Sequence, residues 1–231
     1  MFRRVNPAIL IILLVMLANN MLNSNQSVGD WLMDQLLILP AIVVGLTFHE
    51  AAHGYASYWL GDPTPKLQGR LSLNPIRHID PIGFVALFFC GFGWGQPVQI
   101  DSSYYKNTRR GELIVSLAGV ATNLVIAAIS AFAIKSLYGQ GVVDIDLLPQ
   151  TLFDILYYMI VINLSLMVFN LLPVPPLDGF GVVTQIFNLR RHDWYWKIYD
   201  NGFLILMLLI VFNITDMILS PAVGFFIEIL L

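Results

Sequence analysis

The stretch that decides the fold is residues 32–60, LMDQLLILPAIVVGLTFHEAAHGYASYWL. It is mostly apolar, and a helix needs about 20 mostly apolar residues to cross the hydrocarbon core of a bilayer. The stretch is therefore long enough to be a transmembrane helix. Two histidines and a glutamate lie close together near its end, and titratable residues are rare at that depth unless they have a function. The segment thus predicts both a membrane protein and the place of its functional site.

The composition of the whole chain also indicates a membrane protein. Of its 231 residues, 57% are hydrophobic and 12% are charged, whereas soluble domains carry about 25% charged residues. This balance excludes a soluble enzyme, a disordered tail and a disulfide-linked secreted module. Cys90 is the single cysteine and cannot form an internal disulfide. The net charge of −3, without a basic face, excludes a nucleic-acid partner.

The apolar segments predict an all-α polytopic membrane protein with about five to six transmembrane helices. The spans are expected at about 5–22, 32–60, 111–137, 151–172 and 203–219. The first follows two arginines and lacks a signal-peptide cleavage pattern, which favours an uncleaved anchor. The pieces 82–95 and 221–231 are too short to cross unaided, so each is expected to be a re-entrant hairpin or a packed terminal segment. We expect one membrane-embedded domain over 1–231, with its core at about 32–185 and additional helices at about 5–22 and 203–231.

The basic residues predict the orientation in the membrane. If the amino terminus is cytoplasmic, eleven of the twelve Lys and Arg residues lie in the cytoplasmic segments 1–4, 61–110 and 173–202, as the positive-inside rule requires. This arrangement requires that 82–95 enter and leave on the same side or cross as a compact hairpin. We therefore expect a multi-pass protein of the cell inner (plasma) membrane, surrounded by the lipid bilayer.

Two loop segments predict a small β-structure at the cytoplasmic membrane face. Residues 66–73 partly alternate with period two after a turn-forming run with two prolines, and residues 97–100 are able to pair with them. Two irregular loops fit the same propensities. As an edge, such strands could hold an unwound substrate peptide.

The motif His49-Glu50-Ala51-Ala52-His53 carries the chemistry. Histidines at i and i+4 lie on one helix face, so both imidazoles can reach one metal ion. Zinc takes imidazole ligands, and a catalytic site has three protein ligands plus water. Zinc lowers the pKa of that water toward about 7, so the adjacent Glu50 can act as general base. The other interpretation is a pair of core histidines bonded across helices.

A third ligand is needed, and few acidic residues lie at membrane depth. Asp178 is our candidate, because it follows the fourth predicted span in Asn170-Leu171-Leu172-Pro173-Val174-Pro175-Pro176-Leu177-Asp178-Gly179. Three prolines in four residues exclude a regular helix there. Irregular backbone at membrane depth is tolerated where it is buried in protein or lines a wet cavity. The segment taken alone fits a simple exit turn equally well.

These motifs together resemble the site-2 protease family of intramembrane zinc metalloproteases. The resemblance is carried by His49-Glu50-x-x-His53, by Asn170-x-x-Pro173-x-x-x-Leu177-Asp178-Gly179, and by Gly119-x-x-x-Asn123 in the intervening span. The stretches 69–75 and 78–83 are similar to the compact bacterial and archaeal branch of that family. The loop at 138–150 is too short for the PDZ domain of larger members. The resemblance covers roughly residues 40–185.

The resemblance implies a three-helix core that holds one zinc ion per chain through His49, His53 and Asp178, with Glu50 as catalytic base. It implies a transmembrane or membrane-anchored protein substrate, and hence regulated intramembrane proteolysis. Asn123 and Asn170 occupy positions near the active site, where an amide can donate to a substrate carbonyl or oxyanion. Asparagines that merely tie helices together are the alternative for each. A homo-oligomer is compatible with the sequence.

Two other functions are weighed against this hypothesis. A catalytically inactive relative would bind or pass zinc without hydrolysis, but zinc binding alone does not need Glu50. A membrane protease with a glutamate as third ligand would need a suitably placed glutamate. The chain offers only Glu112 and Glu228 besides Glu50, and neither follows a fitting helical pattern.

Overall fold

The computed structural model describes residues 27–90, 93–138 and 150–231. Its helices are α1 (Val28–Trp59), α2 (Thr64–Leu67), α3 (Pro81–Cys90), α4 (Thr108–Tyr138), α5 (Gln150–Asn170), α6 (Asp178–Phe187), α7 (Asp193–Asp200), α8 (Gly202–Val211) and α9 (Ile214–Leu230). The expected span at 5–22 lies outside the described residues. Within these residues the all-α character predicted from the apolar segments is confirmed.

Three helices are long and apolar enough to cross a membrane, namely α1, α4 and α5. They correspond to the predicted spans at 32–60, 111–137 and 151–172. α1 begins after Ser27, whose hydroxyl accepts a hydrogen bond from the amide of Asp30 at 3.2 Å. α5 ends at Asn170, just before the proline-rich segment that cannot continue a helix. These three helices pack against one another and form the centre of the described fold.

The apolar core lies between α4 and α5, with α9 on their outer side. Its buried members come from these three helices: Val120, Ala127, Ala131, Ile134, Ile160, Leu164, Met167, Val168 and Val223. Small alanines on α4 face larger side chains on α5, which lets the two helices approach closely. The predicted terminal segment 221–231 is thus part of α9, which packs against α5.

The predicted span at 203–219 is not one continuous helix. Helix α8 ends at Val211, and Asn213 adopts a left-handed conformation with φ 56° before α9 begins at Ile214. Asparagine is among the residues that tolerate this conformation, which ends a regular helix. The chain bends by 60° between α7 and α8, and the two helices are long enough to be one further span only if they are taken together. The described residues therefore contain three or four candidate spans, and the expected five to six are not confirmed.

The residues that flank the predicted segment 82–95 are paired with each other. Ile79 and Gly95 form an isolated antiparallel bridge. The amide of Gln96 donates to the carbonyl of His78 at 2.8 Å. Both ends of the segment thus lie side by side, which is the arrangement that the distribution of basic residues requires.

The small sheet predicted from 66–73 and 97–100 is not confirmed. Among the residues that the structure describes, the bridge at Ile79 is the one β-type pairing. Residues 64–67 are helical, because prolines at the start of a helix favour its first turn. Within 97–100, the amide of Val98 donates to the carboxylate of Glu50 at 3.1 Å, and the carbonyl of Pro97 accepts from the guanidinium of Arg70 at 3.5 Å. Side chains therefore bond to backbone groups of this segment.

The buried carboxylate of Asp62 ties the end of α1 to the loop before α4. It accepts hydrogen bonds from the Ser57 hydroxyl at 2.7 Å and from the backbone amides of Thr64 and Asp101, both at 2.8 Å. Burial raises the pKa of Asp62, but these hydrogen bonds to its charged form outweigh burial and leave the pKa below its usual value. The charged carboxylate thus has a structural role outside the spans, because its hydrogen bonds join the end of α1 to the loop before α4.

Candidate metal centre

His49 and His53 lie one turn apart on α1 and face each other. Their Nε2 atoms are 3.1 Å apart, and the rings meet edge to face. His49 is buried and His53 is half-buried. The spacing in the sequence therefore produces the pair that the motif predicts.

Asp178 joins this pair from the first turn of α6. Its Oδ2 atom lies 3.2 Å from Nε2 of His49 and 3.3 Å from Nε2 of His53. The turns between α5 and α6 redirect the chain, so that the residue after the proline-rich segment points back into the helix core. The predicted interruption of the helix at this segment is confirmed. His49, His53 and Asp178 are also the one group of three potential metal ligands in the described part of the chain.

The hydrogen bonds of the two imidazoles direct their free nitrogens at this point. Nδ1 of His49 donates to Oδ1 of Asn123 at 2.6 Å, and Nδ1 of His53 donates to the carbonyl of Val115 at 2.8 Å. Because a carbonyl oxygen only accepts, each Nδ1 carries the proton and each Nε2 of a neutral ring has a free lone pair. Histidines that ligate metals are oriented by such hydrogen bonds.

Three acceptor atoms that converge in this way fit a zinc ion. Ligand atoms about 2.0–2.1 Å from a tetrahedral zinc lie about 3.3–3.4 Å from one another. The observed separations of 3.1, 3.2 and 3.3 Å are close to that value. Oδ2 of Asp178 is also buried without a hydrogen-bond donor among the described residues. A cation between the three atoms would satisfy all of them.

Glu50 follows His49 on α1 but does not belong to the converging triangle. Its Oε2 accepts a hydrogen bond from the amide of Val98 at 3.1 Å, in the segment that returns from α3. The carboxylate is half-buried beneath that segment. An acidic residue thus directly follows one candidate metal ligand in α1, and a backbone donor fixes the orientation of its carboxylate.

The two predicted asparagines differ in their contacts. Asn123 is fully buried, and its amide group donates both to the carbonyl of Gly45 at 3.2 Å and to Oδ1 of Asn163 at 2.9 Å. Asn170 donates to the carbonyl of Leu166 in its own helix at 2.9 Å. Asn123 is therefore brought to the metal centre, whereas the hydrogen bond of Asn170 stays within α5.

Asn163 is a residue of this site that the sequence motifs do not include. It is fully buried and bonds to Asn123. Two signals point to it in retrospect. It is an amide in the middle of an apolar span, and it precedes Asn170 by seven residues, a spacing that places both on one helix face.

Gly119 permits the close approach of α4 to the two histidines. It precedes Asn123 by one turn and lies against both imidazole rings. A side chain at this position would meet the rings directly. The Gly-x-x-x-Asn pattern therefore has two physical functions, since the glycine makes room for the rings and the asparagine orients one of them.

A polar network at the start of α4 holds α6, and hence Asp178, against α4. The guanidinium of Arg109 donates to the backbone carbonyls of Gln185 and Ile186 at the end of α6. Glu112 accepts from Gln185 and forms a two-fold pair with Arg190, at 2.8 and 3.0 Å. The end of α6 opposite Asp178 is thus fixed to the start of α4.

Similarity to known proteins agrees with this geometry. The profile of peptidase family M50 matches residues 139–213. The chain is 35% identical over 190 residues to YwhC of Bacillus subtilis (strain 168), which is named as a zinc metalloprotease; this covers 82% of the chain and 86% of YwhC. It is 27% identical over 182 residues to Rip2 of Mycolicibacterium smegmatis, also named as a zinc metalloprotease, covering 76% of the chain and 67% of Rip2. No solved structure matches the chain. The chain therefore belongs to peptidase family M50, the site-2 protease family, and is a membrane zinc metalloendopeptidase.

Proposed function

We propose that the protein is an intramembrane endopeptidase that cuts transmembrane or membrane-anchored proteins near the cytoplasmic side. In this proposal His49, His53 and Asp178 are the zinc ligands, and Glu50 is the general base. The observation that carries it is the convergence of two Nε2 atoms and one carboxylate oxygen within 3.1–3.3 Å of one another, on apolar helices of membrane-spanning length. Such a cluster among apolar helices is unfavourable without a function.

Each residue has a distinct part in the proposed hydrolysis. Zinc, when bound, acts as a Lewis acid that lowers the pKa of a water and polarises a carbonyl. Glu50 accepts a proton from the attacking water and passes it to the leaving amine. Its orientation by the Val98 amide reduces the reorganisation needed for that transfer. The substrate helix must unwind locally, because its peptide bonds are otherwise occupied by its own hydrogen bonds.

The depth of the centre supports cleavage near the cytoplasmic side. His53 and His49 lie about 9 and 15 Å from the end of α1 at Trp59, at about 1.5 Å per residue. Arg109 and Arg190, which bond around that same end of α4 and α6, belong to the basic segments. By the positive-inside rule this end faces the cytoplasm. We accordingly assign the protein to the inner membrane with a cytoplasmic amino terminus, as one domain over 1–231.

The two predicted asparagines receive different parts in this proposal. Both amide hydrogens of Asn123 are already bonded within the protein, so we assign it as a positioning residue for His49 rather than as an oxyanion donor. Asn170 is half-buried and uses one amide hydrogen for Leu166. Its second amide hydrogen leaves it able to donate to a substrate carbonyl, the part that the sequence suggests for it.

The function is tested by separating zinc binding from cleavage. Glu50→Gln should retain zinc and lose at least about 10²-fold in cleavage rate, the usual contribution of a general base. Asp178→Asn and His49→Ala should lose zinc. Glu228→Gln is the matched control, because it makes the same chemical change at an exposed carboxylate.

The measurements are zinc content of the purified protein and the membrane proteome of cells that carry each variant. Transmembrane fragments that accumulate with Glu50→Gln but not with Glu228→Gln would be candidate substrates. Cleavage by Glu50→Gln at the wild-type rate would contradict the assignment of the base. Full zinc content in His49→Ala would contradict the ligand set.

A further inference from the structure

Asn163 is a fully buried amide in the middle of the membrane-spanning helix α5. A polar side chain in such a place is unfavourable unless its donors and acceptors are all bonded. One of its hydrogen bonds stays within its own helix, and the other leads to Asn123 and so toward the metal centre. Which atom donates and which accepts in each of these hydrogen bonds determines how the side chains around His49 are oriented.

The hydrogen bonds form a directed chain of three links. Nδ2 of Asn163 donates to the backbone carbonyl of Met159 at 2.9 Å. Oδ1 of Asn163 then accepts from Nδ2 of Asn123 at 2.9 Å, and Oδ1 of Asn123 accepts from Nδ1 of His49 at 2.6 Å. Because the carbonyl of Met159 can only accept, it fixes the orientation of the amide of Asn163. Asn163 in turn fixes that of Asn123.

We propose that Asn163 is a positioning residue for the metal centre, acting on His49 through Asn123. The inference rests on the proposed function, in which His49 is a zinc ligand. If the amide of Asn123 were reversed, its NH₂ group would face Nδ1 of His49, and that nitrogen would have to accept. The proton would then lie on Nε2, which could no longer bind a metal. Asn163 disfavours this reversed state.

A purely structural role for Asn163 makes a different prediction. An asparagine that only ties α5 to α4 would affect the stability of the fold and leave the metal centre unchanged. A positioning residue also affects zinc affinity and the geometry of the bound metal. Zinc affinity and a metal spectrum therefore separate the two roles without any measurement of cleavage.

The test compares Asn163→Leu with Asn163→Asp. Leucine has a similar volume but no acceptor, so only the 3.2 Å hydrogen bond to Gly45 continues to orient Asn123. We expect the zinc dissociation constant, measured by chelator competition, to rise about tenfold, the low end of the effect of outer-shell partners. Asn163→Asp keeps an acceptor for Asn123 and should bind zinc more tightly than Asn163→Leu. The absorption spectrum of the cobalt-substituted protein should change in the leucine variant.

Ser130→Ala is the matched control, since Ser130 is a buried polar residue of α4 that bonds to the carbonyl of Ile126 in its own helix. Its zinc affinity should equal that of the wild type. If Asn163→Leu does not fold, Asn163→Ala removes the same acceptor with a smaller side chain. Wild-type zinc affinity and cobalt spectrum in the folded Leu or Ala variant would overturn the inference.

The path through Asn123 is tested by a double variant. If Asn163 acts through Asn123, adding Asn163→Leu to Asn123→Ala should not weaken zinc binding further. An additional loss equal to that of the single variant would overturn the inference. His49→Ala separates the two proposals. If it retains zinc, the proposed ligand set fails, whereas loss of zinc in His49→Ala with no effect of Asn163→Leu rejects only the positioning role.

Discussion

The substitution Gly119→Ala tests how closely α4 must approach the two histidines. A Cβ atom at this position would lie 2.6 Å from Cε1 of His49 and 2.6 Å from Nε2 of His53. Ordinary contacts between such atoms are about 3.5–4.0 Å, so one side has to move by about 1 Å. The helix cannot simply withdraw, because Val115 and Asn123, one turn to either side on the same helix, bind the two rings.

The expected magnitude follows from where this strain is relieved. Overpacking of a closely packed region costs about 1–3 kcal/mol. Ligand atoms have to be placed within about 0.2 Å for good coordination, so a displacement of the rings acts directly on the metal. If the rings move, zinc binding weakens by up to the same free energy. This corresponds to a dissociation constant about 5- to 150-fold higher, since 1.4 kcal/mol is a factor of ten.

The assay is zinc titration of the purified variant against a competing chelator, together with its thermal unfolding. Gly224→Ala is the matched control, because a Cβ there meets no atom within 4 Å and the gain in helix propensity is the same. We expect Gly224→Ala to be neutral or stabilising, with zinc affinity unchanged. If Gly119→Ala binds zinc as tightly as the wild type, the rings do not limit the approach of α4 and the reasoning is refuted.

Two further predictions concern residues at or just beyond the ends of the spans. Glu112→Gln removes the charge that pairs with the guanidinium of Arg190, a side chain that is 48% exposed, so we expect the free energy of unfolding to fall by at most about 1 kcal/mol. Unfolding midpoints at low and high salt should show that this loss of stability shrinks as salt screens the pair. An equal loss at both salt concentrations would contradict the ionic explanation. Asp62 has a lowered pKa, because its hydrogen bonds outweigh burial. Its charged form therefore adds stability above its unfolded pKa of about 3.9, and this stability is lost as the pH falls through the lower folded value. Thermal unfolding from pH 7 to pH 3 should show the advantage of wild type over Asp62→Asn narrowing below about pH 4, and a constant difference would refute it.

The long helices, and the grouping of His49, His53 and Asp178, follow from the sequence for physical reasons. Lipid requires about 20 apolar residues per span, so hydropathy alone locates α1, α4 and α5. His49 and His53 are joined by helix geometry, which local spacing determines. Asp178 is found because the prolines before it exclude a regular helix.

The features that were not predicted depend on tertiary contacts or on single backbone angles. The break before α9 depends on the left-handed conformation of Asn213, which hydropathy does not detect. The sheet expected from 66–73 and 97–100 is not found in the described residues, where 64–67 are helical and the amide of Val98 donates to the side chain of Glu50. The contact of Asn163 with Asn123 depends on which face of α5 meets α4. α5 is apolar on most sides, so periodicity does not reveal that face.

Lipid supplies no hydrogen bonds, so a buried polar side chain in a span must be satisfied by another group of the protein. In this fold that requirement links the site to its surroundings. Asn123 holds α4 against α1 through Gly45, and the same side chain orients His49. Helix association and ligand orientation therefore use the same atoms. A substitution that loosens the helices around Asn123 should also disturb the metal centre, whereas one in the apolar contact between α5 and α9 should affect stability alone.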